Sequence, residues 1–386
     1  MKNFLRRLFK PPLFRAIMDR GNFIFRFHHR PKDLAPVKAW TSGTSDDDKL
    51  IVDRVITAYQ LASKQFKSNG DSMWQTFFVS LHKDIHQILI DNQREKVASV
   101  LRNPASSDLF YGFDNISKSL LSLSGRRLED LYQPAQTLDN LLRLAEAIGA
   151  RRLDCPEAYS CLKKPLRIKT DEVIELLEAT FGFQIDVPNP YPKECGVLSM
   201  RGVISYRVPQ AIYQAWRISQ LVSHIPNPRV LEIGAGLGRT AFYARQFGIK
   251  DYTIIDIPIT SLSQGYFLGR VLGNDSVLLL NENAQDAAVR IKILPPSSFL
   301  NGSDHYDLVV NVDSLTEMDE TIARTYWLQI EARSDMFLSI NHERNSFTVR
   351  ELISGSKRIV SSDRVPYWMR RGYVEETVRF TPKNYT

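Results

Sequence analysis

Three glycines and two acids cluster around residues 229–238, RVLEIGAGLG, and the strand that follows. Residues 230–233 are a short apolar run of strand type that ends in a glycine-rich turn and enters a helical pattern. Gly234, Gly236 and Gly238 are spaced G-x-G-x-G, whereas a dinucleotide fingerprint wants its third glycine one position later, where this chain has Arg239. Glu232, two residues before the first glycine, is a second departure from that fingerprint. Bare glycines let the backbone approach a ligand at the start of a helix, where unpaired N–H groups collect. A second strand, 252–255, ends in Asp256, whose carboxylate can accept from both hydroxyls of a ribose. In a strand-turn-helix kept only for packing, glycines and acids would all have to fall in place by accident, so the spacing predicts a nucleotide-binding corner.

Further chemistry lies at two later strand ends. In YDLVVNVDSLTEM, residues 306–312 read as a buried strand that delivers Asn311 and Asp313; DMFLSINHE, 335–343, repeats the arrangement and delivers Asn341, His342 and Glu343. Ligands of doubly wound sheets bind outside the carboxyl ends of the strands, which puts Asp313 and His342 at the working face. His342 is the general-base candidate because imidazole titrates near neutrality. A histidine hydrogen-bonded at a strand end for structural reasons gives the same pattern. Glu317 is the third catalytic candidate, but SLTE at 314–317 also fits a capping box, in which serine and glutamate satisfy the first N–H groups of the following helix. Asp313 could bind an amino group of a ligand, hold a divalent ion or assist the histidine. Asp313 and Glu317 alone are too few ligands for a recognisable site, so no metal is indicated.

The elements that position these residues alternate. Helical patterns at 211–223 and 261–272 flank the first two strands, two apolar runs at 276–280 and 291–294 compete for the third strand, and 373–380 reads as an edge strand. Alternating strands and helices predict a doubly wound α/β sheet over 211–386. Upstream, helix-periodic stretches at 50–66, 73–89, 93–101, 137–148 and 171–180 predict a mainly α-helical domain over 41–182. These helices could form an acceptor platform or the interface of a homo-oligomer. Residues 183–210, rich in proline and glycine, read as a linker that could fold over the pocket, with Tyr206 as a stacking surface and Arg207 as a carboxylate-binding guanidinium. A core tyrosine and a surface arginine are the bland readings of the same pair.

A chain of 386 residues, 43% hydrophobic and 24% charged, is an ordinary globular one with ample core. Cys155, Cys161 and Cys195 lack metal-ligand spacing and read as reduced thiols of a cytosolic protein. Of the net charge of +7, residues 1–32 carry nine basic side chains and one acid, a net of +8, so the body is close to neutral. This arm, within residues 1–40, also carries six phenylalanines from Phe4 to Phe27, and basic segments with aromatic anchors favour an anionic bilayer surface. Packing against the body or a partner subunit is the competing reading. The neutral body offers no extended basic face, which argues against a nucleic-acid partner. Pro11, Pro12 and the repeated arginines leave no apolar region for a secretory signal, and no run of about 20 apolar residues is present to span a membrane.

Glu232, the glycines and Asp256 together resemble the class I S-adenosylmethionine-dependent methyltransferases. More narrowly, VLEIGAGLGRTAFYA, YTIIDIP, QGYFL and YDLVVNVDSLTEM, with RGVISYR and AIYQAWRI upstream, are similar to bacterial sugar O-methyltransferases over roughly residues 105–345. The glycine motif is shared by the whole class; DIP at 256–258 and SLTEM at 314–318 are more specific. The resemblance implies a Rossmann-like class I methyltransferase sheet, S-adenosylmethionine as methyl donor bound by Glu232, Gly234, Gly236 and Asp256, and a sugar hydroxyl as acceptor. It further implies a polysaccharide, lipopolysaccharide or glycolipid precursor assembled at the cytoplasmic face of a membrane. A small glycosylated natural product as acceptor, and a scaffold that retains the fold without turnover, are the alternatives.

Overall fold

The computed structural model describes residues 37–38, 48–66, 76–114, 116–118, 127–153, 168–283 and 290–381. The basic arm at 1–32, Cys155 and Cys161 lie outside these residues; the Cys195 thiol donates to the Lys193 carbonyl at 3.3 Å. The chain divides into two compact units, one from the 1–40 and 119–210 stretches and one from 41–118 and 211–386.

The second unit is built on an eight-stranded sheet. Its strands are β1 Arg229–Ile233, β2 Asp251–Ile255, β3 Val277–Leu279, β4 Ile291–Leu294, β5 Tyr306–Val312, β6 Ser334–His342, β7 Ile359–Pro366 and β8 Tyr373–Phe380, in the order β7-β8-β6-β5-β1-β2-β4-β3. All neighbours from β6 to β3 are parallel, and β8 is antiparallel to both β6 and β7. Both apolar runs proposed for the third strand are strands: β4 lies beside β2, and β3 forms the edge. Parallel strands covered on both faces need continuous apolar runs, and Val230, Leu231 and Ile233 of β1 and Leu308, Val309 and Val310 of β5 are all buried. The chain moves from β1 through β2 to β4 on one side and resumes with β5 on the other. The crevice where strand order reverses therefore opens at the carboxyl ends of β1 and β5. The α/β, Rossmann-like, doubly wound sheet expected from the sequence is the observed fold.

The strand at 373–380, expected at the edge of the sheet, is internal, inserted between β6 and β7, and β7 is the edge. β7 has no alternating apolar pattern, exposes Val360 and Val365 and ends in Pro366, so nothing in its sequence announces a strand. Helices at 41–118 group with the sheet and not with the helices that follow them in sequence. The reason is a flat strip on the helix Pro258–Leu272. A Cβ at Gly265 would meet Val55 at 2.8 Å, and one at Gly269 would meet Ile51 at 2.6 Å, so the helix Lys49–Gln65 comes too close for any larger residue. Arg54 adds a two-pronged bond to Glu282 at 2.7 and 2.6 Å, and buried Asp48 accepts from both Arg102 and Tyr266. On the face of the sheet covered by the helix Glu320–Arg333, Trp327 packs on Phe337 and Phe380 with ring centroids 5.6 and 5.9 Å apart.

The first unit holds the helices Arg127–Ala147 and Thr170–Phe181 and a three-stranded antiparallel sheet of Val37–Lys38, Cys195–Ser199 and Gly202–Ile204. The 183–210 stretch, read as a linker, therefore carries a hairpin. Asn189 bonds both the N–H and the C=O of Val203, and Arg201 grips Glu178 at 2.7 and 2.8 Å. Among the described residues no helix is long and apolar enough to cross a membrane.

Candidate functional site

Behind β1, Gly234, Gly236 and Gly238 all adopt left-handed φ values of 73°, 56° and 85°, which L side chains rarely take. Gly238 N-caps the helix Arg239–Gln246. A Cβ on Gly234 would lie 2.5 Å from Ser314 Cβ and closer still to its Oγ. The loop is clamped by the next strand end: Asp256 Oδ2 accepts from the Ala235 N–H at 3.0 Å and Gln264 Nε2 at 2.7 Å, and Gln264 Nε2 also donates to the Gly236 carbonyl at 2.9 Å. Asp256 Oδ1 accepts from the Ile257 N–H at 2.8 Å. Part of the residue reaches solvent, yet protein closes around the carboxyl. That loss of hydration pushes it up to about 7, against the pull of these three donors.

Glu232 is 1% exposed and lies beneath the corner, with Oε2 accepting from Tyr252 Oη at 2.8 Å. Burial pushes it up to about 7 as well, the charge of Asp256 adds to the rise, and the Tyr252 hydroxyl opposes it. The corner also recruits a segment with no sequence signal. Asp114 forms an ion pair at 3.0 Å with Arg239, the side chains being 2% and 6% exposed, and the Phe113 carbonyl stands 3.4 Å from a Cβ built on Gly236. The aromatic-rich residues 105–114 are thereby fixed beside the glycines.

The second half of the site grows from β5 and β6. Asn311 Nδ2 and Ser314 Oγ each donate to the Ile233 carbonyl at 3.0 Å. Asn341 Nδ2 donates to Asn311 Oδ1 at 2.9 Å, which also accepts the Leu315 N–H. These buried asparagines lock the two strand ends together. Asp313 turns back in a left-handed conformation, φ 54°, and its N–H bonds the Ile340 carbonyl at 2.9 Å. Its Oδ2 accepts from Arg370 Nη1 at 3.0 Å and Tyr373 Oη at 2.9 Å, while its buried Oδ1 has no hydrogen-bond partner among the described residues. His342 Nε2 stands 3.8 Å from that Oδ1, and its Nδ1 accepts from the Arg344 N–H at 3.2 Å.

Glu317 completes the group: one ligand atom from each of Asp313, Glu317 and His342 lies within 4.8 Å of the others. The structure thus brings together all three catalytic candidates. The capping box at 314–317 is not formed. Ser314 turns inward to the Ile233 carbonyl, residues Leu315–Glu317 make a 3-10 turn, and the helix Glu320–Arg333 is capped by Asp319, which accepts from the Thr321 N–H at 2.9 Å. Arg370 and Tyr373 were missed because only the antiparallel register of β8, with Tyr373 opposite His342, brings them in. Tyr206 and Arg207 belong to the other unit. Both are half-buried, and Arg207 Nε has no hydrogen-bond partner among the described residues.

No protein-family model matches the chain, and no curated protein matches it in sequence. Among solved structures it is similar to the 1,6-didemethyltoxoflavin-N1-methyltransferase of Burkholderia thailandensis, with 23% identity over 45% of this chain and 79% of that one and a TM-score of 0.32. A glycopeptide N-methyltransferase complexed with sinefungin gives 15% identity over 45% and 87%, TM-score 0.33. The magnesium protoporphyrin IX methyltransferase of Synechocystis, with bound S-adenosylmethionine, gives 12% over 45% and 83%, TM-score 0.31.

Proposed function

We propose that the chain transfers a methyl group from S-adenosylmethionine to a carbohydrate hydroxyl. The observation that carries this reading is the Ser314 bridge. One serine sits against Gly234 of the donor corner and bonds the Ile233 carbonyl, one residue from Asp313 of the Asp313–Glu317–His342 group. A nucleotide corner and a proton-accepting cluster stand at neighbouring strand ends, those of β1 and β5.

The donor supplies an activated methyl on a sulfonium: as the acceptor oxygen bonds that carbon, the carbon–sulfur bond breaks and its electron pair stays on sulfur. The glycine loop and Asp256 hold the donor, and alignment of oxygen, methyl and sulfur provides much of the acceleration. A sugar hydroxyl is a poor nucleophile until its proton is removed, which is the task of the Asp313–Glu317–His342 cluster. For His342 Nε2 to take part, the ring must carry its proton on Nδ1 and give up the 3.2 Å bond from the Arg344 amide.

A polysaccharide, lipopolysaccharide or glycolipid precursor is the acceptor class in this reading. The basic, aromatic composition of residues 1–32 suits an anionic membrane surface at the cytoplasmic face, where such precursors are built. The test is transfer of a radiolabelled methyl group from S-adenosylmethionine across a panel of glycans, nucleic acids and small glycosides. Label in glycans supports the proposal; label confined to nucleic acids or small glycosides refutes the acceptor class.

A further inference from the structure

We propose that Asp313 Oδ1, the Glu317 carboxylate and His342 Nε2 are the ligands of one divalent cation of the Mn2+ or Mg2+ class. The site itself stands on the geometry below, and its role toward an acceptor hydroxyl rests on the methyl-transfer reading. Asp313, Glu317 and His342 come from the ends of two different strands, and in the fold one ligand atom of each lies within 4.8 Å of the others. Oxygen and nitrogen ligands bind such ions at about 2.0–2.2 Å, so two of them across one ion stand about 4 Å apart. Small rotamer changes would close the shell.

The independent observation is at Asp313. Its backbone is held left-handed by the bond from its N–H to Ile340, and its Oδ2 is held by Arg370 and Tyr373. Those two donors aim the other oxygen, as outer-shell partners orient a metal ligand. Oδ1 is buried and without a hydrogen-bond partner among the described residues, and an unsatisfied buried carboxylate oxygen is destabilising. A cation removes that cost.

Two carboxylates with one imidazole form a mainly hard ligand set, suited to Mn2+ or Mg2+ ahead of a thiol-seeking metal. Three protein ligands leave about half of a six-coordinate shell for water or acceptor oxygens. An ion there would lower the pKa of a bound hydroxyl, the function otherwise asked of a histidine base. Loading Nε2 moves the ring proton to Nδ1 at the expense of the Arg344 bond.

The experiment is a Mn2+ titration of the full chain, followed by the electron paramagnetic resonance signal of free Mn2+, without donor or acceptor. The variants are Asp313→Asn, Glu317→Gln and His342→Gln; asparagine tolerates the left-handed backbone at 313. Thermal melts establish that each variant is folded. The expected result is one Mn2+ per chain in the wild type, competed by Mg2+, with affinity lowered at least about 10-fold in each folded variant. Uptake equal in wild type and all variants, or none up to millimolar Mn2+, overturns the proposal. Calorimetry with S-adenosylmethionine on the same samples separates the two readings. Donor binding without Mn2+ binding removes the metal and leaves methyl transfer standing. Mn2+ binding without donor binding does the reverse.

Discussion

If the Ser314 bridge joins the two halves of the site, crowding it must be costly and relieving the crowding must restore it. Gly234→Ala places a Cβ 2.5 Å from Ser314 Cβ, at a φ of 73°. Gly248, with φ 87° and nothing within 4 Å of its would-be Cβ, isolates the backbone contribution. Alanine in a left-handed conformation costs about 1–2 kcal/mol, which is the whole effect expected of Gly248→Ala. In Gly234→Ala, Ser314 must also withdraw from the Ile233 carbonyl, which keeps its bond from Asn311 Nδ2, so the loss is that of one hydrogen bond, about 0.5–1.5 kcal/mol. The total is about 1.5–3.5 kcal/mol. Ser314→Gly removes both clashing atoms, so in that background Gly234→Ala falls back to about the Gly248 value. The assay is urea denaturation of the four proteins of this cycle and Gly248→Ala, followed by tryptophan fluorescence; Trp327 lies within the sheet unit's core. Additive effects of Gly234→Ala and Ser314→Gly would refute the bridge.

Other outcomes follow from the same geometry. Asp114→Ala removes the carboxylate paired with the buried Arg239 guanidinium and lowers stability by about 3–5 kcal/mol in urea denaturation; a loss under 1 kcal/mol would show that the pair does not fasten residues 105–114. Asp256 and Glu232 are carboxyls whose folded values, both about 7, lie above their ordinary values of 3.8 and 4.5. At these two groups the unfolded chain binds fewer protons than the folded one between those limits, so their contribution to stability falls as pH rises from about 4 to about 7. The stability of the wild type relative to a Glu232→Gln, Asp256→Asn variant is expected to fall across that window, and a relative stability that rises would contradict this. Binding of S-adenosylmethionine to ionised Asp256 is expected to release protons near pH 6–7, measured by calorimetry in buffers of different ionisation enthalpy. His342→Ala is expected to leave donor affinity intact and to reduce turnover about 100-fold, whereas unchanged turnover removes it from the mechanism.

The parts of the site legible in the sequence were those encoded locally. Glycines in left-handed positions, a carboxylate at the next strand end, and Asp313 and His342 after two buried runs could each be read from a few neighbouring residues. Parallel strands announce themselves because both faces are apolar. What stayed hidden depends on partners far along the chain: Asp114 beside Arg239, Gln264 across the glycine loop, and Arg370 with Tyr373 beside Asp313. The SLTE motif misled for the same reason. Locally it is a cap, but the Ile233 carbonyl, 81 residues away, takes the serine hydroxyl, and Glu317 is left beside Asp313 and His342. β7 was invisible because an exposed edge strand needs no apolar alternation. The docking of the helix Lys49–Gln65 was not legible locally because it depends on Gly265 and Gly269, which lie far along the chain.

Whether this corner binds a methyl donor is decided by calorimetric titration of the full chain with S-adenosylmethionine and its demethylated product, comparing wild type with Asp256→Ala. One site per chain with micromolar affinity for both nucleosides is expected in the wild type, abolished in the variant. No binding to the folded wild type, or equal binding to both proteins, would contradict it.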